Sequence, residues 1–431
     1  MTLLSIAIIY QILQVIALPF LSVYLIYKEI RYSPVIGDLT QRIGFVQPNT
    51  RVGTKTIWIH AVSVGEALSI EALIKEIKKK DPQSVIYMTT GTTAGKRIAA
   101  KYLAPDYLSL MPYDFLFGVL LAFKRIKPTS IILIEAEIWP NFLLLAHHKK
   151  TPIYLLNARM NRSFKLYKTF SFFFTPILNI FDHFYTQSEL DGEKFKTLNI
   201  PPQKITLLGN IKAFNVLQKQ EEFLSKAPLL KIKRNEILLV GSIHPGELDI
   251  YLKLFIALKK EFTNLTLILA PRHFHWRQKL FETCTKTGFT IEELTHKSAQ
   301  RIPELLSKNI DIILICELGE LFKIYPYANI FYLGGTFVPI GGHNLLEPAV
   351  WANPTIIGPW HKNCQQICDD LQKENALIVV STEEELLSNT QNLLRSPARR
   401  TQMGENAYKW LRKESEITHK TIISLIQKLN Y

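Results

Sequence analysis

In the C-terminal third the chain reads GGTFVPIGGHNLLEPAVW, residues 334–351. Two glycine pairs bracket a short apolar stretch, and His343, Asn344 and Glu347 follow as a helix-like run begins. Gly341 and Gly342 are expected to offer bare backbone N–H groups beside a helix N-terminus, a combination that attracts anions. A carboxylate one turn further on suits hydroxyl groups instead, as in ribose recognition. An anion site beside a hydroxyl site suggests a nucleotide. The alternative is a plain capping role for Asn344.

The other candidates follow apolar runs that read as strands. After TIWIHA comes Val62-Ser63-Val64-Gly65-Glu66. Glu66 is either a general base or a glutamate satisfying the dipole of a first helical turn. After TSIILI comes Glu135-Ala136-Glu137. Carboxylates at a strand end are costly if buried, so each is either functional or held in a salt bridge. Glu135 continues the buried strand and is the stronger candidate of the two. In VGSIHPGE, Gly241 and Ser242 end a strand and permit close backbone approach. APRHFHW places Arg272 and His273 at another strand end. A cation there suits a phosphate or carboxylate, or forms a surface ion pair. CELGELFKIY offers Gly319 at the start of a helix.

Two further patterns are set aside. GTTAGKR is not a P-loop: Gly91 and Gly95 enclose three residues rather than four, and Arg97 follows Lys96. No metal site is expected. His244, His273 and His275 lack a ligand spacing with a nearby acid, and Cys364 and Cys368 have no histidines at zinc spacing.

The elements that must position these residues alternate. TIWIHA, SVIYMTT, TSIILIEAE, PIYLLNA, HFYTQ and ITLLGN read as buried strands, with amphipathic helical stretches between most of them. A polar, lysine-rich stretch from Ala213 to Arg234 interrupts the alternation. It resumes with EILLVGS, LTLILAPR, DIILIC, NIFYLGG, PTIIG and ALIVV. This is the βαβ pattern of parallel sheets. The expected fold class is α/β with two doubly wound, Rossmann-like domains facing a cleft. The expected division is a membrane anchor at 1–31, a first domain at 32–213 and a linker at 214–234. A second domain at 235–415 and a C-terminal helix at 416–431 complete it. Ligands in such sheets bind beyond the C-terminal strand ends, so the site is expected in the cleft.

Composition sets bounds on function. At 431 residues, 47% hydrophobic and 20% charged, the chain can bury large cores. The net charge of +14 suits an anionic membrane face or phosphorylated substrates. It is spread along the chain, with only short clusters such as Lys78-Lys79-Lys80, which argues against nucleic acid. From Thr2 to Tyr27 there is no charged residue, enough apolar length for a bilayer-crossing helix. Lys28 and Arg31 follow and hold the rest of the chain in the cytoplasm. A cleaved signal peptide is disfavoured by the absence of a basic n-region and of a small-x-small cleavage site. Gln11, Gln14 and Pro19 weaken the hydrophobicity, so a helix lying on the membrane stays open.

The ordered set HAVSVGE, EAEIWPN, NARM, GNIK, APRH, LGEL and PIGGHNLLEPA resembles that of the Kdo transferases, bacterial glycosyltransferases of lipopolysaccharide assembly with the GT-B fold. The match spans Met1 to roughly Lys420. It departs at GSIHPGE, where the family usually has Thr and Glu at the places of Ile243 and Pro245. The resemblance implies inverting transfer of 3-deoxy-D-manno-octulosonic acid (Kdo) from CMP-Kdo to a lipid A precursor. The place would be the inner membrane surface, with one or more Kdo residues added. It implies Glu66 as general base and Glu135 with Lys212 as transition-state stabilisers. It implies CMP contacts from Pro271, Arg272, Leu318, Gly319, Glu320, Asn344, Leu345, Leu346 and Glu347. Ser242, His273, Gly341 and Gly342 would be further donor contacts. No DxD-like metal pair stands at a strand end, so cations and a helix dipole are expected to neutralise the leaving CMP without a cofactor.

Overall fold

Six-residue runs such as TIWIHA and VIYMTT are buried along their whole length, as strands covered on both faces must be. In the computed structural model, which describes residues 2–32, 36–51, 53–160, 163–226 and 236–429, every such run lies in one of two parallel sheets. The first contains β1 (Thr56–Ala61), β2 (Val85–Thr90), β3 (Tyr107–Leu110), β4 (Ser130–Ile134), β5 (Ile153–Ala158), β6 (His183–Thr186) and β7 (Ile205–Leu207). Its order is β3-β2-β1-β4-β5-β6-β7. The second contains β8 (Glu236–Ile243), β9 (Leu265–Pro271), β10 (Ile291–Leu294), β11 (Ile312–Ile315), β12 (Ile330–Leu333), β13 (Thr355–Ile357) and β14 (Leu377–Val379). Its order is β10-β11-β9-β8-β12-β13-β14.

Each order reverses once near its middle. The first sheet reverses between β1 and β4, paired through Ile59↔Ile132 and His60↔Leu133. The second reverses between β8 and β12, paired through Leu333↔Gly241. Loops leaving the carboxyl ends of such strand pairs diverge to opposite faces of the sheet and leave a crevice. The strands thus determine where each unit's site lies.

The chain divides into one compact unit of 1–215 with 414–431 and a second of 216–413. In the first, Trp58 meets Phe142, Phe123 and Tyr87 edge-on, with ring centroids at 4.9, 5.3 and 6.5 Å, the favoured geometry for buried aromatic pairs. The stretch expected as a linker begins as helix Ile211–Lys226, and residues 227–234 lie outside the described residues. The C-terminal helix is longer than expected, running Pro397–Leu429. Its Ile422, Leu425, Ile426 and Leu429 are buried in the first unit's core with Ile57 and Ile59. The N-terminal helix spans Leu3–Tyr32 and buries Ile6 completely in the first unit.

Two strands were not expected, β3 in DYLSL and β10 in IEEL. Both are edge strands. An edge strand covers less and tolerates polar residues, so the apolar run that marks a strand is broken there.

Candidate functional site

Glu66 lies in the short helix Val64–Ser69 that follows β1. Ser63 caps that helix: its hydroxyl oxygen accepts from the Glu66 N–H at 3.3 Å. The Glu66 carboxylate reaches back, accepting from the Val62 N–H at 2.8 Å and the Ser63 hydroxyl at 2.9 Å. The capping role foreseen for Glu66 is therefore present, and it orients the carboxylate. Each oxygen accepts one bond and retains a lone pair for a proton. Burial lifts this carboxyl above its usual range, Val62 and Ser63 oppose the shift, and the Glu135 charge adds to it. The GTTAGKR segment packs beneath: a Cβ on Gly91 would meet Val62 Cγ1 at 2.5 Å, so glycine lets the two loops touch.

Glu135 does not continue its strand. β4 ends at Ile134, and Glu135 turns into the left-handed region with φ 68°, a costly conformation for a non-glycine residue. The turn points its side chain to Arg159, whose Nη2 pairs with Oε2 at 2.5 Å. Glu137 accepts from Trp139 Nε1 at 2.8 Å. Burial raises the Glu137 carboxyl to about 7, with the charges of Glu66 and Glu135 adding to the effect. Glu66, Glu135, Glu137 and Arg159 thus form one electrostatic group at the β1/β4 reversal. Lys212 stands apart, exposed at the start of the helix after β7. No hydrogen bond or ion pair among the described residues joins it to the three carboxylates. That helix does return to the group's neighbourhood: Asn215 Nδ2 donates to the carbonyls of Leu68 and Ser69 at 3.2 and 2.9 Å.

In the second unit a cavity of about 300 Å³ opens at the β8/β12 reversal. Ser242, Pro271, Arg272, Leu318, Gly319, Asn344 and Glu347 line it, joined by Lys219, Phe274, Phe322, Tyr325 and His343. Ser242, like Glu135, is a left-handed non-glycine residue at a reversal, with φ 60°. Six other expected residues do not line the cavity. Leu345 and Leu346 are 1% and 2% exposed and pack inward. The Glu320 carboxylate accepts from the Ala299 N–H at 3.1 Å and pairs with Lys323. His273 stacks beside His275. The Gly341 and Gly342 N–H groups, expected to be offered to an anion, both donate to the Gly335 carbonyl, at 3.0 and 2.9 Å. Those glycines serve shape: a Cβ would meet Asn363 Nδ2 at 2.8 Å or Cys364 Sγ at 2.9 Å. The helix beyond, Leu346–Val350, is a single turn capped by Asn344 Oδ1, which accepts from the Leu346 N–H at 3.0 Å. Arg272 and Lys219 are therefore the cations of this cavity.

Lys219 and Glu247 escaped the sequence reading, and His343 was named there without a role. Lys219 pairs with Glu347 at 3.0 Å and lies 3.8 Å above the Phe322 ring. It sits in the lysine-rich stretch that resembled a linker, where nothing distinguished it from its neighbours. His343 Nε2 lies 2.7 Å from His244 Nε2, so one ring donates and the other accepts. Burial and Arg272 depress the His343 pKa to about 4, which keeps the ring neutral. Glu247 is fully buried, and its carboxylate accepts from the N–H groups of His244, Gly335, Thr336 and Phe337 at 2.8–3.1 Å. It ties the loops after β8 and β12 together. An acid following proline and glycine reads as surface turn, so only the fold reveals it.

Two all-parallel sheets, each with its cluster of functional side chains at its own point of reversal, define a GT-B type α/β protein. The UDP-GlcNAc 2-epimerase of Neisseria meningitidis, solved with UDP-GlcNAc, aligns with 86% of this chain and all of its own at TM-score 0.56 and 15% identity. A glycosyltransferase from Rickettsia africae aligns with 88% of this chain and 99% of its own at TM-score 0.52 and 11% identity. Both are likenesses of fold. Sequence goes further: residues 37–215 match the family described as 3-deoxy-D-manno-octulosonic-acid transferase (kdotransferase). The 3-deoxy-D-manno-octulosonic acid transferase of Aquifex aeolicus is 32% identical over 78% of this chain and 86% of its own length. That of Rickettsia bellii is 33% identical over 78% and 79%. The chain belongs to the 3-deoxy-D-manno-octulosonic acid transferase family and is a glycosyltransferase.

Proposed function

We propose that the protein transfers Kdo from CMP-Kdo to a hydroxyl of a lipid A precursor with inversion, at the cytoplasmic face of the inner membrane. The observation that carries this reading is the cavity at the β8/β12 reversal, where Arg272 and Lys219 stand beside the Glu347 carboxylate. Cations suit the phosphate of CMP and the carboxylate of Kdo. A carboxylate in the same cavity suits ribose hydroxyls. Glu66 takes the proton from the acceptor hydroxyl as its oxygen bonds to the anomeric carbon. The bond from that carbon to the phosphate oxygen breaks, and CMP leaves with its new charge against Arg272. Inversion requires base and leaving group on opposite faces of the sugar. Glu135, fixed by Arg159, stabilises the transition state, and Lys212 is assigned the same role by its motif. CMP binds with Pro271, Leu318, Gly319 and Asn344 around it. No metal is invoked in any step.

The test is mass spectrometry of a synthetic lipid A precursor incubated with the purified protein and CMP-Kdo. Increments of whole Kdo units are expected, and their number counts the transfers. No increment, with donor verified by a known Kdo transferase, overturns the donor–acceptor assignment. Competition by CMP rather than UDP is expected in the same assay.

A further inference from the structure

We propose that His343, backed by His244, takes part in the transfer, given that CMP-Kdo is the donor proposed above. Its Nδ1–H donates to the phosphate that leaves with CMP, and the two rings together take up one proton from solvent while that dianion is bound.

The reaction as written so far gives neither ring a task, yet the pair is built with care. His343 lines the cavity together with Arg272 and Ser242. The two imidazoles are nearly parallel, with planes 11° apart, and meet nitrogen to nitrogen at 2.7 Å. His244 is anchored from behind, its backbone N–H donating to the fully buried Glu247 carboxylate at 2.9 Å. Gly335 closes against both rings, where a Cβ would meet His244 Cδ2 and His343 Nε2 at 3.3 Å. One proton sits between the two Nε2 atoms, so in a neutral pair one Nδ1 carries the second proton and the other is bare. If His343 donates to His244, its own Nδ1 is bare and presents a lone pair that an anion disfavours. If His244 donates to His343, the Nδ1 of His343 carries its proton and can donate to a ligand. A bound phosphate selects the second arrangement.

The surrounding charges decide the protonation. Burial is the largest influence keeping His343 neutral, and Arg272, His244 and His273 add to it. At His244 burial again opposes the charged form, Glu247 favours it, and His273 and Arg272 oppose it. Two glutamates also line the cavity, but Glu347 is paired with Lys219, and Glu317 accepts from the Ser298 N–H and hydroxyl, both at 2.9 Å. Without a ligand the pair is neutral. A phosphate dianion offsets Arg272 and favours the imidazolium, as a close opposite charge does. When the bond from the anomeric carbon breaks, its electron pair stays on the phosphate oxygen, and the protonated pair stabilises the charge that develops there. The proton returns to solvent when CMP departs.

Proton counting tests this. The full chain is titrated calorimetrically with CMP at pH about 7.5, above the phosphate's own second pKa of about 6, in buffers of different ionisation heat. Net uptake of close to one proton is expected with CMP, and none with cytidine, which lacks the phosphate. By linkage, CMP affinity should fall as pH rises through the pKa that the complex raises. His343→Gln keeps a hydrogen bond to His244 but has no second ring nitrogen. It should bind CMP without the uptake and without that pH dependence. Its kcat should fall about 10²-fold, as when one donor at a developing charge is removed, with the donor KM nearly unchanged. Binding of CMP to the wild-type protein without proton uptake overturns the proposal, as does equal uptake by the variant; either leaves the donor assignment standing. The wild-type comparison of CMP with cytidine decides the matter even if the variant fails to fold. Absence of CMP binding overturns the donor assignment and this proposal with it.

Discussion

In the proposed reaction Glu66 holds two roles in one geometry, because the bonds that cap its helix also aim its carboxylate. Glu66→Gln keeps the cap through its amide oxygen but removes the base. Transfer should fall by about 10²–10⁴-fold, the usual worth of general-base catalysis. CMP affinity should stay unchanged, because the cavity lies in the other unit. Calorimetry alongside steady-state rates checks both. The base works ionised, so activity should fall as pH drops through its raised pKa. Removing the Glu135 charge in Glu135→Gln should move that acid limb to lower pH, since this charge helps hold the Glu66 pKa up. In the second unit, Glu347→Ala should weaken CMP binding about tenfold, the loss of one or two hydrogen bonds to a ligand. Unchanged affinity would remove Glu347 from the ribose contact. At this scale the sequence showed which acids follow strands, because strand ends are marked by the end of an apolar run. It did not show that Glu135 turns away from its strand, because a left-handed glutamate has no local signature. Nor did it show that the Gly341 and Gly342 N–H groups are already occupied, since their acceptor is the Gly335 carbonyl in the turn before them.

Elements carry these residues to the two reversals, and what stabilises the loops there is less visible. The loops after β8 and β12 are joined by the His244–His343 pair and, more extensively, by the Glu247 carboxylate. Glu247→Gln turns an NH₂ group toward backbone donors. It should cost about 1–3 kcal/mol for the groups left unsatisfied, read as a fall in Tm with CMP affinity lowered in parallel. An unaltered Tm would mean that the loops hold their shape without it. The interior strands were legible because both of their faces are covered, which enforces unbroken apolar runs. The edge strands β3 and β10 were not, because polar residues break their apolar runs, whereas the edge strands β7 and β14 keep short ones. The N-terminal helix shows the limit of composition. Its apolar run was evident, but Gln11 and Gln14 read as weak points in a membrane helix. They are attachment points to Asp114 and Asn141.

For the whole molecule, the consequential element is the helix Pro397–Leu429. The sequence suggested a terminal amphipathic helix without indicating what it packs on. Its apolar side enters the core around β1 and β4, whose loops carry the carboxylates. Leu425→Ala should cost the first unit about 2–5 kcal/mol, as cavity-forming substitutions do. Thermal unfolding should resolve a lowered transition that CMP fails to raise, since the cavity proposed for CMP lies in the other unit. A transition unchanged in that variant would remove the helix from the first unit's stabilising core. This arrangement also has a temporal side. On the ribosome, residues 1–215 emerge before all of the second unit, yet Ile422, Leu425 and Ile426 emerge after it. Until then the nascent first unit exposes an apolar groove where those side chains belong. Its completion therefore waits for translation of the C-terminal helix, and the carboxylate-bearing half acquires its final form last although it is made first.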